Sequence, residues 1–228
     1  MRIINDDYLK KQFITQYTLS NHFPIQIIDA FELNFFEKGE YIYHQDGQVD
    51  TFYLLVDGKL QVDYLQSDGH LTVLSFVTPL FTIGDLEMFE DWPTIRNVQA
   101  LEHSMLFATS IATMRQHSYD DPRFLRFILH QVIQKLDFTS TLLTHVNLAL
   151  ECRLARYLLG RMESDGPVLH LERRESLAAM LATSVRHLNR TLKLLSEQQI
   201  IDVHYKTLTI KNPHLLATIA EEPSPKRT

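Results

Sequence analysis

Two short amphipathic segments joined by a tight turn, within residues 174–193, constrain the fold of this chain more than any other feature. Apolar residues recur every three or four positions in both segments, as they do in helices that bury one face. Between them, Thr183 and Ser184 supply a turn and a hydroxyl that can cap the second helix. The pattern predicts a helix-turn-helix whose polar face can donate hydrogen bonds to phosphates and base edges of DNA. That face carries Arg186, His187, Asn189 and Arg190.

The segment that follows has the pattern of a two-stranded hairpin. Ile201 and Val203 precede a basic tip at 204–206, and Leu208 and Ile210 follow it. A helix-turn-helix pattern alone is equally typical of a helical hairpin packed into a core. Because a hairpin directly after the second helix is much rarer by chance, the combination favours a winged helix-turn-helix.

Length and charge fit a DNA-binding end attached to a second domain. The 228 residues suffice for two domains that each bury a core. Residues 172–228 hold nine Lys and Arg against six Asp and Glu, so this end carries +3 and the remainder −9. Local positive charge is what nonspecific attraction to phosphate requires.

The N-terminus and the cysteine count exclude several classes of protein. Charged residues within 1–12 occupy the place where a secretory signal needs an apolar core, and no apolar run reaches membrane-spanning length. We therefore expect a cytoplasmic protein with no membrane partner. Cys152 is the single cysteine, which excludes an iron-sulfur cluster and a structural zinc site, and the histidines show no metal-ligand spacing. We expect no metal and no resident cofactor. Cys152 is either a small buried residue or a redox group.

Short apolar runs broken by glycines fill residues 31–107, which hold five of the seven glycines. Asp-Gly pairs at 46–47, 57–58 and 68–69 are strong turn signals. Such spacing predicts an antiparallel sandwich or barrel. Within it, residues 52–77 are predicted to form three consecutive strands, a β-meander.

A long amphipathic helix is predicted to begin at Asp121-Pro122, with the aspartate as N-cap and the proline in the first turn. Apolar residues then alternate spacings of four and three, a heptad repeat that expects a partner helix. The seam consists of Leu125, Leu129, Val132, Leu136, Thr139, Leu143, Val146 and Leu150. Additional apolar residues such as Phe124 and Phe127 widen the face, so the helix can cover its own β-domain as well. We predict a two-fold homodimer.

These elements divide the chain into three predicted segments: a sensor domain at 1–120, a dimerisation helix at 121–150 and a DNA-binding domain at 151–228. The predicted fold class is α+β. It combines an N-terminal antiparallel β-roll of the jelly-roll or double-stranded β-helix type, a long helix and a C-terminal winged helix-turn-helix.

In this order the three segments resemble the CRP/FNR family of bacterial transcription regulators, and the similarity covers nearly the whole chain. The motifs that carry it lie at 36–40, 52–58, 83–89, 153–158 and in the helix-turn-helix itself. The resemblance implies a dimeric regulator that binds double-stranded DNA at a palindromic operator and contacts RNA polymerase. It also implies a β-roll whose effector shifts the equilibrium between two dimer arrangements.

Family members that bind cyclic nucleotides carry a phosphate-binding cassette, in which Gly-Glu is followed by Arg-Ser or Arg-Thr. The matching positions here are Gly84-Asp85 and Arg96-Asn97. Asp85 is one methylene shorter than the glutamate that holds a ribose hydroxyl, and Asn97 replaces the small hydroxyl residue beside the phosphate. These departures favour an effector other than a cyclic nucleotide, or none.

Two alternatives accompany the cassette. In one, Arg96 pairs with Asp85, Glu87 or Asp91 across an empty roll. In the other the protein responds to a cyclic nucleotide, since Thr139 and Ser140 match the place where the family's helix touches the base.

The resemblance also assigns the DNA contacts. Arg190 matches an arginine that in this family reaches a guanine or a phosphate. Arg186 stands where many members carry a glutamate that reads cytosine, so we expect a different operator. The full set of expected DNA-binding residues is Arg174, Thr183, Ser184, Val185, Arg186, Asn189, Arg190 and Lys206.

Two other classes of function compete with a DNA-binding regulator. A protein-protein signalling switch is disfavoured by the basic outer face of Arg186, Arg190 and Lys206, because the core of a protein interface usually sheds charge. An enzyme is disfavoured because the sequence shows no nucleophile-base pairing, kinase-type phosphate loop or metal-ligand spacing.

Overall fold

The computed structural model describes residues 1–66, 69, 71–90, 92–145 and 148–221, with side chains described outside 137–145 and 164. The chain divides into two compact units, the N-terminal unit at 1–139 and the C-terminal unit at 140–228. Among the described residues the N-terminal unit holds two sheets and the C-terminal unit one, and each unit has its own core.

Two antiparallel sheets build the N-terminal unit. The larger sheet contains, in spatial order, β1 (Arg2–Ile3), β2 (Glu32–Phe36), β9 (Ser104–Ser110), β4 (Thr51–Asp57) and β7 (Phe81–Ile83). The smaller sheet contains β3 (Tyr41–Tyr43), β8 (Asn97–Ala100), β5 (Leu60–Leu65) and β6 (Leu71–Val77). The predicted antiparallel β-roll is confirmed.

The three strands predicted within 52–77 are present as β4, β5 and β6, and β5 pairs with β6, but they do not form a meander because β4 lies in the other sheet. Gly58, between them, has φ +93°, and a Cβ there would lie 2.6 Å from the carbonyl oxygen of His103. The chain therefore passes close to the 103–104 backbone and crosses to the opposing sheet. An Asp-Gly turn signal does not distinguish such a crossing from a hairpin.

Side chains of β4 alternate between two cores, as the two-residue period of a strand requires. Tyr53 and Leu55 join the cluster between the two sheets. Phe52, Leu54 and Val56 point the other way, into a cluster that helices cover. The larger sheet is thus buried on both faces.

Helices cover the outer face of the larger sheet. They are α1 (Asp7–Gln16), a 3₁₀ turn (Leu19–Asn21), α2 (Ile25–Ala30), α3 (Asp85–Phe89), α4 (Ile111–Ser118) and α5 (Pro122–His145). The helix start at Asp121-Pro122 is confirmed, since a carboxylate oxygen of Asp121 accepts from the Arg123 amide at 2.8 Å. Hydrogen bonds from Arg123 lower the pKa of Asp121 to about 2.

The apolar residues of α5 fall on two faces. Phe124, Phe127 and Ile128 are buried in the helix-covered core, and Val132 packs partly against it. A second group stays exposed: Leu125, Leu129, Ile133 and Leu136. The predicted seam residue Val132 therefore lies toward the core, and Ile133 takes its place on the exposed stripe.

The C-terminal unit is a winged helix-turn-helix. It contains α6 (Leu150–Asp165), β10 (Val168–His170), α7 (Arg174–Met180), α8 (Val185–Glu197), β11 (Ile201–His204), β12 (Thr207–Ile210) and α9 (Pro213–Glu221). The predicted two-stranded wing is confirmed, and β10 adds a third strand beside β12. Leu150, the last predicted seam residue, is the first residue of α6 and is buried.

Candidate nucleic-acid interface and effector site

The turn between α7 and α8 is built around one left-handed residue. Ala182 has φ +46°, and the amide of the next residue, Thr183, donates to the Ala178 carbonyl at 2.9 Å. Ser184 then caps α8, with its hydroxyl accepting from the His187 amide at 3.2 Å. The predicted cap is confirmed, and it fixes the residue at which the second helix begins.

The two faces of α8 differ sharply in burial. Leu188, Leu192 and Leu195 are buried with the core of the unit. On the opposite face Arg186, His187, Asn189 and Arg190 are exposed. Within residues 148–221 the guanidinium groups of Arg186 and Arg190 make no hydrogen bond or ion pair. Their donors are available to an external acceptor.

The other predicted DNA contacts lie around this helix. Thr183 and Val185 are half-buried, and Lys206 is exposed at the wing. Arg174, at the start of α7, has a buried Nη1 with no hydrogen-bond partner among the described residues, and burial lowers the pKa of its guanidinium. A desolvated cation without a partner is costly, and a phosphate oxygen would satisfy it.

A buried ion pair holds the segment that leads into the helix-turn-helix. Arg161 of α6 donates to Glu172 at 2.7 Å and to Asp165 at 2.7 Å, and the Tyr157 hydroxyl donates to the other oxygen of Glu172 at 2.5 Å. The Glu172 side chain is 3% exposed. Burial, followed by the charge of Glu172, raises the pKa of Tyr157. This cluster ties α6 to the segment that precedes α7.

In the N-terminal unit, the cassette aspartate is already paired. Asp85 is 2% exposed, and its two carboxylate oxygens each accept from Nζ of Lys135 at 2.7 Å. The Thr82 hydroxyl donates to the same carboxylate at 2.9 Å, and Lys135 also donates to the Thr82 carbonyl at 2.9 Å. Nζ of Lys135 lies 4.5 Å from the centroid of the Phe81 ring. A lysine of α5 therefore neutralises the cassette aspartate.

This pairing corrects one of the sequence interpretations. Arg96 does not pair with Asp85, and its guanidinium makes no ion pair within the part of the chain that the structure describes. Asp91, another suggested partner, lies outside the described residues. Gly84 has φ +83°, and a Cβ there would lie 2.7 Å from the Thr51 carbonyl oxygen, so the glycine is required by the backbone.

The second cassette position is also occupied by internal contacts. Nδ2 of Asn97 donates to Asp63 at 2.9 Å, and its Oδ1 accepts from the Gln45 amide at 2.9 Å. Gln61 donates to the other oxygen of Asp63 at 2.9 Å, and Asp63 is 1% exposed. Asn97 thus belongs to a buried hydrogen-bond network.

Several predicted residues cannot be placed. Thr139, Ser140 and Leu143 lie in α5, but their side chains are outside the described set, and Val146 is outside the described residues altogether.

Cys152 is 2% exposed, and its thiol donates to the Ala220 carbonyl at 3.2 Å. Across the described residues, no group of three metal-ligating side chains and no helix long and apolar enough to span a membrane occurs.

Two family models match the chain. The cyclic nucleotide-binding domain matches residues 33–117, and the Crp-like helix-turn-helix domain matches residues 152–219. The chain is homologous to the CRP/FNR family of transcriptional regulators. The first match covers the β-roll and cassette, and the second covers the wing and both helices of the motif.

Individual relatives agree with this assignment. The cAMP-activated global transcriptional regulator CRP of Salmonella typhimurium is 25% identical over 180 residues, which cover 73% of this chain and 83% of CRP. Regulatory protein YeiL of Escherichia coli O157:H7 is 26% identical over 188 residues, covering 82% and 84%. Among solved structures, FixK2 from Bradyrhizobium japonicum has a TM-score of 0.75 at 18% identity and covers 85% of this chain and 99% of its own.

The sequence did not predict which residues pair with Asp85 and Asn97 of this CRP/FNR cassette. Lys135 is 50 residues from Asp85, and Asp63 is 34 residues from Asn97. Partners so far apart along the sequence leave no local pattern from which the pairing could be predicted. For the Arg161 cluster, the four-residue spacing to Asp165 was a readable signal of an ion pair on a helix, whereas Glu172 lies beyond the end of that helix.

Proposed function

We propose that this CRP/FNR-type transcriptional regulator is a homodimer that binds a palindromic operator through α8, and that its β-roll takes no cyclic nucleotide. The observation that supports DNA reading by α8 is its exposed polar face, opposite a buried leucine stripe. That face carries the guanidinium groups of Arg186 and Arg190, which have no partner within residues 148–221. Forked cationic donors on a helix fit guanine edges and phosphates in the major groove.

The exposed stripe of α5 supports the homodimer. Leu129, Ile133 and Leu136 are 59%, 54% and 65% exposed, although the opposite face of the same helix is buried. An apolar row of this length on a helix is stabilised by a second copy of the same row, and a two-fold axis brings identical residues together. Two DNA-reading helices would then face paired half-sites about one turn of DNA apart.

A charge substitution tests the homodimer. Ile133→Glu places a carboxylate at the centre of the stripe and should shift the protein from dimer to monomer in sedimentation velocity. Gln134→Glu is the matched control, since Gln134 is exposed on the same helix but away from the stripe. A dimer that persists in Ile133→Glu would remove α5 as the interface.

The state of the cassette supports an effector that is not a cyclic nucleotide. Asp85 is held by Lys135 and Thr82, and Asn97 by Asp63 and Gln45, so both groups are already satisfied. Isothermal titration with cyclic AMP and cyclic GMP tests this. We expect neither heat nor a rise in melting temperature; binding with thermal protection would establish the alternative, a cyclic-nucleotide-responsive regulator.

The remaining assignments rest on the family. We assign RNA polymerase as the protein partner, the cytoplasm as the compartment where the operator is read, and no enzymatic activity. The decisive experiment is selection of bound duplexes from random DNA with the purified protein. We expect a palindromic consensus that differs from the operator of relatives with a glutamate at the Arg186 position. Enrichment of no sequence would refute the proposed function.

A further inference from the structure

The tip of the wing has an unusual backbone for the residue that occupies it. His204 of β11 pairs with Thr207 of β12, so Tyr205 and Lys206 form a two-residue hairpin loop. Tyr205 has φ +53°. Such loops need left-handed residues and strongly prefer glycine, asparagine or aspartate, whose side chains tolerate this conformation. A tyrosine has no such advantage, so the fold alone would favour a glycine.

The ring of Tyr205 contributes little to the stability of the folded core. Tyr205 is 89% exposed, the highest value among the large apolar and aromatic side chains that the structure describes. Its hydroxyl has no hydrogen-bond partner within residues 148–221. Nζ of Lys206 lies 5.4 Å from the centroid of the ring. Strained backbone that supports a solvent-exposed side chain is typical of residues that act on a ligand.

The base of the wing holds this tip rigidly. Ile201, Leu208 and Ile210 are buried, and β12 is paired on both sides, by β11 and by β10. The carbonyl of Lys206 accepts from the Leu171 amide at 2.8 Å. The backbone of the tip is therefore fixed on the same unit as α8, and it carries one exposed aromatic ring with the ammonium of Lys206 near it.

We propose that Tyr205 is a DNA-contacting residue that senses the shape of the sequence flanking each α8 half-site. The apolar ring packs against deoxyribose in the wall of the minor groove, and its hydroxyl donates to a phosphate oxygen, while Lys206 supplies the neighbouring charge. Contacts of this kind read the width of the groove and not the identity of base edges. The inference rests on the proposed DNA binding and adds a specificity residue to it.

Tyr205→Gly separates the effect of this residue on stability from its effect on DNA binding. Removing the strained residue should stabilise the fold, whereas removing the ring should weaken binding. The full-length variant and wild type are compared on the palindromic duplex that wild type selects, by fluorescence anisotropy and by thermal melting. Removing the strain should raise the melting temperature. Losing the ring should weaken binding about fivefold, as expected for one partly desolvated aromatic contact. Tyr205→Phe keeps the ring and should lose only part of the affinity.

The flanking sequence gives a second readout. Exchanging the base pairs outside the half-sites between A·T-rich and G·C-rich should change the affinity of wild type and leave that of Tyr205→Gly unchanged. Unchanged affinity of Tyr205→Gly, or a lowered melting temperature, would overturn the inference. If Arg190→Ala weakens binding while Tyr205→Gly has no effect, the proposed function stands and this inference fails. If wild type binds no duplex, both fail.

Discussion

The cassette of the β-roll and the polar face of α8 both contain charged residues at family motif positions, but the structure leaves them in opposite states. In the cassette, Asp85 is buried and Asn97 half-buried, and both are paired with residues of the same unit. On α8, Arg186 and Arg190 are exposed and have no partner within the C-terminal unit's described residues. The difference teaches that a motif residue indicates a ligand contact only when its polar atoms are still unsatisfied.

This comparison predicts that the cassette charges act on stability. Asp85→Ala should lower the free energy of unfolding by about 3 kcal/mol, because it leaves the ammonium of Lys135 partly buried without its carboxylate. Urea unfolding followed by circular dichroism measures this loss. The double variant Asp85→Ala/Lys135→Met should recover part of the loss. Equal losses in the single and double variants would contradict the pairing.

The α8 charges should act on binding instead. Arg190→Ala should weaken binding to the selected duplex by about 1–3 kcal/mol, the usual contribution of a guanidinium that reads a base. Its urea midpoint should stay at the wild-type value, because the side chain is exposed and unpaired. Lys193→Ala is the control on the same helix, since Lys193 is exposed and lies 3.7 Å from Glu197. A large loss of stability in Arg190→Ala would remove the distinction between the two regions.

The sequence was sufficient where the signal is local. The Ser184 cap, the wing and the helix start at Asp121 depend on residues within ten positions of each other, and all three are confirmed. The Lys135 pairing with Asp85 and the crossing after β4 depend on contacts across the fold, which no spacing encodes. The choice between Val132 and Ile133 on α5 also needed the structure, because a broad apolar face is compatible with more than one stripe.

A smaller effect is expected at the wing. Lys206→Ala should weaken binding by about 1 kcal/mol at moderate salt and reduce the slope of log K against log salt by about 1, since one phosphate contact is lost. The loss should be similar on specific and nonspecific duplexes. Equal losses on the two kinds of duplex distinguish Lys206 from Arg190, because Arg190→Ala should mainly weaken binding to the specific duplex. A sequence-dependent loss in Lys206→Ala would instead place it among the base-reading residues.

The smallest effect concerns the backbone at the two motifs. Gly84 of the cassette and Ala182 of the helix-turn-helix both have positive φ, but only the cassette has the residue that this conformation favours. Ala182→Gly should therefore stabilise the C-terminal unit by about 0.5–1 kcal/mol, because it relieves the steric cost of a Cβ at φ +46°.

Ala179→Gly, three residues earlier inside α7, is the matched control and should destabilise by a similar amount, since glycine loses more conformational entropy in a helix. Thermal melting of the two variants should give shifts of opposite sign. Ala182 is exposed, and its amide donates to the Ala179 carbonyl. A destabilised Ala182→Gly would show that its methyl group packs on α8, and that the turn is held by side chains and not by its backbone alone.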